Sequence, residues 1–139
     1  MHANPFPSAS RIALVLIAMI AAGCSGKTAA VNGRVKFKDG GDVSVLAGHT
    51  VMFQAEADRI SASGDVEPDG SFKVSTYGHN DGAVPGRHQV AISPPPPPPD
   101  SPPPKPILPK KYNDFGTSDL TIDIKPGANT IELELERAP

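Results

Sequence analysis

The stretch AISPPPPPPDSPPPKPILPKKYNDF, residues 91–115, decides how many domains the chain forms. Eleven of the sixteen residues from Pro94 to Pro109 are proline. Such a run reads as a linker, as a ligand for an aromatic groove, or as a loop inside one domain. The length of chain beyond the tract settles the choice. Only KKYNDFGTSDLTIDIKPGANTIELELERAP remains there, enough for two strands. Two strands alone are marginal in water, so they pair with strands before the tract, and residues 94–109 are an excursion within a single domain. In polyproline II form sixteen residues extend roughly 50 Å, at about 3.1 Å each. That exceeds a small domain, so the segment bends or projects from one end, with PDSP (99–102) as the place for a bend.

Working outward, both flanks alternate with a period of two. LTIDIK sets Leu120, Ile122 and Ile124 against Thr121, Asp123 and Lys125, and TIELELE sets Ile131, Leu133 and Leu135 against three glutamates. Before the tract, VNGRVKFKDG sets Val35 and Phe37 against Arg34, Lys36 and Lys38. TVMFQAEA places Val51, Phe53 and Ala55 on one face, SFKVST places Phe72 and Val74, and RHQVAIS places Val90 and Ile92 with His88 on their side. RISASGDVE is a weaker seventh candidate, through Ile60 and Val66. This patterning marks half-buried strands. Turn sequences separate them: KDGGD (38–42), EPDGSF (67–72), HNDGAVPG (79–86) and KPGAN (125–129), with glycine supplying positive φ. The expectation is an all-β fold, a single antiparallel β-sandwich of about seven strands over residues 31–137, with the proline-rich loop before the last two strands.

Length and composition bound the rest. The 139 residues allow one domain. Lys and Arg number 13 against 15 Asp and Glu, which is no basis for nucleic-acid binding. Aromatics are 5% and tryptophan is absent, so the core rests on Val, Ile, Leu and a few Phe. The single cysteine excludes an intramolecular disulfide and a zinc site of several thiolates.

That cysteine, Cys24, ends the segment MHANPFPSASRIALVLIAMIAAGCSG (1–26). One basic residue, Arg11, precedes an apolar run over 12–22. The run is too short for a spanning helix, which needs roughly 20 residues, and fits the h-region of a secretory signal. Ala21, Ala22 and Gly23 lead into Cys24. The segment resembles a bacterial lipoprotein signal, which implies cleavage between Gly23 and Cys24 and acylation of the cysteine. Ala21 departs from that pattern, where a larger aliphatic is usual. The alternative is an ordinary signal peptide that leaves Cys24 as a chance thiol. The expected organisation is a signal over 1–23, a tether over 24–30 and the sandwich beyond. The implied localisation is lipid-anchored in the cell envelope, with Ser25 in place of Asp leaning toward the outer membrane. The implied partners are the membrane, through lipid on Cys24, and an envelope protein or polysaccharide.

The strand and turn sequences carry a further resemblance. VNGRVKFKDG, GHTVMFQ, SGDVEPDGSFKVST, DGAVPGRHQVAI and LPKKYNDFGTSDLTIDIKPGANTIELEL are similar to the carboxypeptidase regulatory-like, transthyretin-like (prealbumin-like) domain of small bacterial lipoproteins. The parts that carry it are Gly70 and Phe72, Pro85 and Gly86, and Pro109, Lys111 and Tyr112 ahead of Thr117, Ser118 and Leu120. His88 stands where Tyr is common, and the proline tract is longer than usual. The resemblance implies the fold and a binding or scaffolding role. It implies no reaction, since fold analogy is a weak warrant for activity. Transthyretin-like hydrolases end in Tyr-Arg-Gly-Ser, whereas this chain ends ELERAP.

Candidate chemistry is sparse. Asp65, Glu67, Asp69 and Gly70 echo the first half of a calcium loop, but the twelfth place holds Thr76, and a hairpin turn fits better. His79, Asp81 and His88 are ligand types without a recognised spacing. Neither G-x-S-x-G nor H-E-x-x-H occurs. An internal isopeptide bond would need Lys36 or Lys38, Asn129 and Glu56 buried together, while alternation puts both lysines on the polar face. No catalytic residue, metal or cofactor is therefore expected. The reading is a non-enzymatic, lipid-anchored module; the alternative is a glycan or small-ligand binder using exposed aromatics. Tyr77 and Tyr112 are its candidate ligand contacts, with Phe115 beside them, unless all three pack or cap.

Overall fold

A computed structural model describes residues 28–139; the segment expected to be a signal, with Gly23 and Cys24, lies outside them. Seven strands form two sheets: β1 (Ala30–Phe37), β2 (Thr50–Ala55), β3 (Ser61–Asp65), β4 (Ser71–Lys73), β5 (Gly86–Ser93), β6 (Leu120–Ile124) and β7 (Ala128–Leu135). One sheet has the order β4-β1-β7 and the other β3-β2-β5-β6. Both strands beyond the proline tract pair with strands before it, β6 with β5 and β7 with β1. The tract is thus a loop of one sandwich.

The alternation sets the two faces. Val31, Gly33, Val35 and Phe37 of β1 turn inward, as do Val51, Phe53 and Ala55 of β2. Phe72 and Val74 join them, with Val90 and Ile92 of β5 and Leu133 and Leu135 of β7. Fully burying side chains of this size contributes roughly 1.5–3 kcal/mol each. His88 is buried on the same face, edge-on to Phe53 at 78°, with ring centroids 6.2 Å apart. Its Nε2 donates to the Val84 carbonyl at 2.7 Å, which fixes the tautomer because a carbonyl only accepts. The weak seventh strand, β3, is real: Ala62 and Val66 are buried on one side of it.

In one respect the expected all-antiparallel arrangement needs correction. β7 runs parallel to β1, in register from Ala30 opposite Ala128 to Phe37 opposite Leu135. After β6 the chain turns at 125–127 and changes sheets, so the last strand lies beside the first with the same direction. The register places the β1 cations next to the β7 glutamates. Lys36 pairs with both Glu132 and Glu134, and Lys38 with Glu136 at 3.1 Å. These pairs are half exposed, so their use is in fixing alignment more than in stability.

The tether is also shorter than expected at its inner end. Ala29 is buried and exchanges backbone hydrogen bonds with Ala83, at 2.7 and 3.0 Å. The sandwich therefore has a defined polarity. The chain enters at Ala29, beside the loops at 56–60, 75–85 and 125–127. The opposite end carries residues 38–49, the β3–β4 hairpin turn, the proline loop and the C-terminal residues.

Candidate functional site

The proline loop leaves β5 after Ser93 and folds back on itself. The bend falls at PDSP. The Ser101 N–H donates to the Pro98 carbonyl at 3.3 Å, and Asp100 has a φ of 62°. Proline at the second turn position and positive φ at the third are features of a type II turn. Two proline arms result, 94–99 outward and 102–107 back.

The returning arm is pinned to the core. Leu108 is buried, and Lys110–Asn113 forms a 3-10 turn that buries Tyr112. The C-terminal residues grip it from the other side. The Ala138 N–H donates to the Ile107 carbonyl at 2.9 Å, and the Glu136 N–H donates to the Tyr112 hydroxyl at 3.0 Å. Lys111 donates to Glu136 at 3.1 Å, and this bond, followed by one from Lys38, holds the Glu136 carboxyl below its usual range.

Between the arms and the loop after β1 lies an apolar cleft of about 390 Å³. Its opposite wall is a short 3-10 turn, Val43–Leu46, capped by Asp42, whose carboxylate accepts from the Ser44 N–H at 2.9 Å. Leu46 plugs the core, which leaves Val45 facing outward at 44% exposure. Val45, Ala47 and Ile107 line the cleft with six prolines. Lys105 is its one charged lining residue.

His49 also lines it, and the same ring borders a small recess of about 30 Å³ behind, against Ile92 and Leu108. The residue is 6% exposed, and its Nδ1 has no hydrogen-bond partner. Burial pushes the imidazole below its ordinary value of 6.5, partly opposed by the nearby Leu46 carbonyl. His88 Nδ1, in the core, is likewise buried without a partner.

A second, polar groove of about 610 Å³ lies where edge strands β3 and β4 meet, lined by Ser63, Asp65, Glu67, Ser71 and Lys73, with Asn80 at one end. Several of its polar groups are already engaged. Asp65 accepts from the Thr50 hydroxyl at 2.9 Å, and the Ser75 hydroxyl accepts from the Asn80 N–H at 2.8 Å.

No protein-family model matches the chain, and neither the curated proteins nor the solved structures contain a match.

The residues singled out from sequence fall in different places. Tyr77 is 61% exposed on the loop bordering the polar groove. Tyr112 is 2% exposed and joins the returning arm to the C-terminus, so it packs and offers no ligand face. Phe115 is half-buried. Asp69 accepts from the Ser71 N–H and hydroxyl, closing the hairpin turn. Asp81 accepts from the backbone N–H groups of Thr76, Tyr77 and Gly78, while His79 contacts Asn80 and His88 is in the core. Among the described residues no three metal-ligand types come together. The isopeptide candidates also lie apart: Lys36 and Lys38 face outward, Glu56 pairs with Arg87, and Asn129 bonds Lys125 and Ala30.

Sequence reasoning missed Val45, Ala47, His49 and Lys105. The available signal was weak: Val45 and Leu46 are adjacent apolar residues in a short loop, and only one of two neighbours can enter a core.

Proposed function

We propose that the protein is a lipid-anchored cell-envelope β-sandwich with a non-enzymatic binding role, and that the proline-loop cleft is its binding end. One observation carries this reading. The cleft lies at the end of the sandwich opposite Ala29, where the chain enters from Cys24. β1 alone spans that separation, and its eight residues cover roughly 26 Å at about 3.3 Å each. A chain held by acyl groups on Cys24 would stand with its entry end at the bilayer and its cleft outward. Loops on a rigid sandwich are where such folds carry recognition.

The anchor rests on the sequence of residues 1–26. Each buried methylene contributes about 0.8 kcal/mol, so two or three chains hold the protein to a bilayer without help from surface charge. The resemblance to carboxypeptidase regulatory-like lipoproteins agrees with this reading and adds no activity. The test is the intact mass of the native protein from its membrane fraction, with Cys24→Ala beside it. A chain starting at Cys24, heavier by two or three acyl groups that the variant lacks, supports the anchor. An unmodified soluble chain overturns it.

The polar groove favours a second reading, glycan binding. Its hydroxyls, carboxylates and amide suit a sugar, and Tyr77 supplies an exposed ring on the adjoining loop. Retention on immobilised envelope polysaccharide, lost in Tyr77→Ala, would favour it over the cleft.

A further inference from the structure

The cleft's lining narrows its ligand, and this step rests on the reading of the cleft as the binding end. Its walls are proline rings, Val45, Ala47 and Ile107, which have no hydrogen-bonding side-chain groups. Its volume, about 390 Å³, lies at the small end of the range for small-molecule sites. Lys105 and His49 are the two residues of the lining with side-chain nitrogens. Lys105 has no ion-pair partner among the described residues, and no acidic residue lines the cleft. His49 is more than nine-tenths buried with a ring nitrogen unpartnered.

We propose that the cleft binds a small amphiphile bearing one carboxylate, with its apolar body between the proline arms and its carboxylate on Lys105. The charge balance selects a single negative charge. One ammonium answers one carboxylate, whereas a doubly charged phosphate head would call for several cationic or N–H donors. His49, in the lining, serves as a reporter of occupancy. The arms need little rearrangement, because proline fixes φ in each arm and the returning arm is held by Tyr112 and Ala138.

The test uses the full acylated chain in lipid nanodiscs, with empty discs subtracting partition into lipid. 4-Phenylbutyrate, and 4-phenylbutanol as its neutral counterpart, are titrated while the His49 imidazole signals are tracked by NMR. The acid is expected to shift His49 saturably. Lys105→Gln is expected to weaken acid binding roughly fivefold, the scale of an exposed ion pair, and to leave the alcohol unchanged. Val45→Asp, which puts a carboxylate on the wall, is expected to weaken the acid more than the alcohol. If the acid and alcohol bind equally, or Lys105→Gln changes neither, the carboxylate assignment is overturned and the cleft stands as a purely apolar site. If neither probe moves His49, the cleft is not the binding end and both readings fall.

Discussion

Phe72 lays its ring across Gly33, the residue directly opposite it on β1. A β-carbon built on Gly33 would lie 2.0 Å from the tip of that ring. The glycine is there so that an aromatic from the short strand β4 can cover the β1 backbone and reach Phe53, 6.2 Å away between ring centroids. Phe72 is therefore both a cross-strand partner of one sheet and a filler between the two.

Gly33→Ala forces Phe72 out of this position. Overpacking a well-filled core costs about 1–3 kcal/mol, and the loss should appear in urea unfolding as a lower midpoint with an unchanged slope. Gly33→Ala combined with Phe72→Leu should recover part of it, since the two residues share one space. Full additivity of the two changes would contradict this shared packing.

Tyr112→Phe removes the acceptor for the Glu136 N–H while keeping the buried ring. The expected cost is about 1 kcal/mol, the usual net worth of one hydrogen bond. The effect should be local first. Amide exchange at Glu136 and Ala138 should accelerate before the β2–β5 ladder responds, because these bonds close the end of the sandwich and not its centre.

Asp81 holds the loop between β4 and β5 by accepting from three consecutive backbone N–H groups. Those bonds, that from Thr76 foremost, hold its carboxyl below the usual carboxylate value of 3.8. The folded state thus favours the ionised form. The contribution is full above the unfolded value and is lost as pH falls through the lower folded one. Asp81→Asn should remove that part of the acid dependence and speed exchange at Thr76, Tyr77 and Gly78 at neutral pH. An unaltered acid limb would rule the mechanism out.

Much of the fold was legible because burial imposes a period of two on the strands, interrupted in β5 where Ala91 is buried as well, and Val35, Phe53, Phe72, Val90 and Leu133 all declare it. The excursion of the proline tract was legible from strand arithmetic, and its bend at Asp100 from local turn chemistry. Strand direction was not. Ile131, Leu133 and Leu135 alternate with glutamates whether β7 runs parallel or antiparallel to its neighbour, and only the partner's identity, β1, distinguishes the two. The cleft was hidden for a different reason. Lys105 is far in sequence from Val45 and His49 and meets them only because the tract doubles back. Tyr112 takes the packing role that the sequence left open beside ligand contact, because the C-terminal residues cover it.

His49 gives the last prediction, with the opposite physical origin from Asp81. Its pKa is lowered chiefly because burial disfavours the imidazolium, not because a partner favours an ion. The unfolded chain therefore takes up a proton near pH 6.5, before the folded chain does. Below that pH the unfolded state binds more protons, so stability falls as pH drops toward the lower folded value; above about 6.5 the contribution is full. His49→Gln should flatten this slope below about pH 6.5 without touching the more acidic limb that belongs to Asp81. A bound carboxylate would oppose the effect of burial, so 4-phenylbutyrate should raise the His49 titration midpoint measured by NMR, and 4-phenylbutanol should not. A midpoint that rises equally with both probes would mean that the ring senses the ligand's bulk and not its charge.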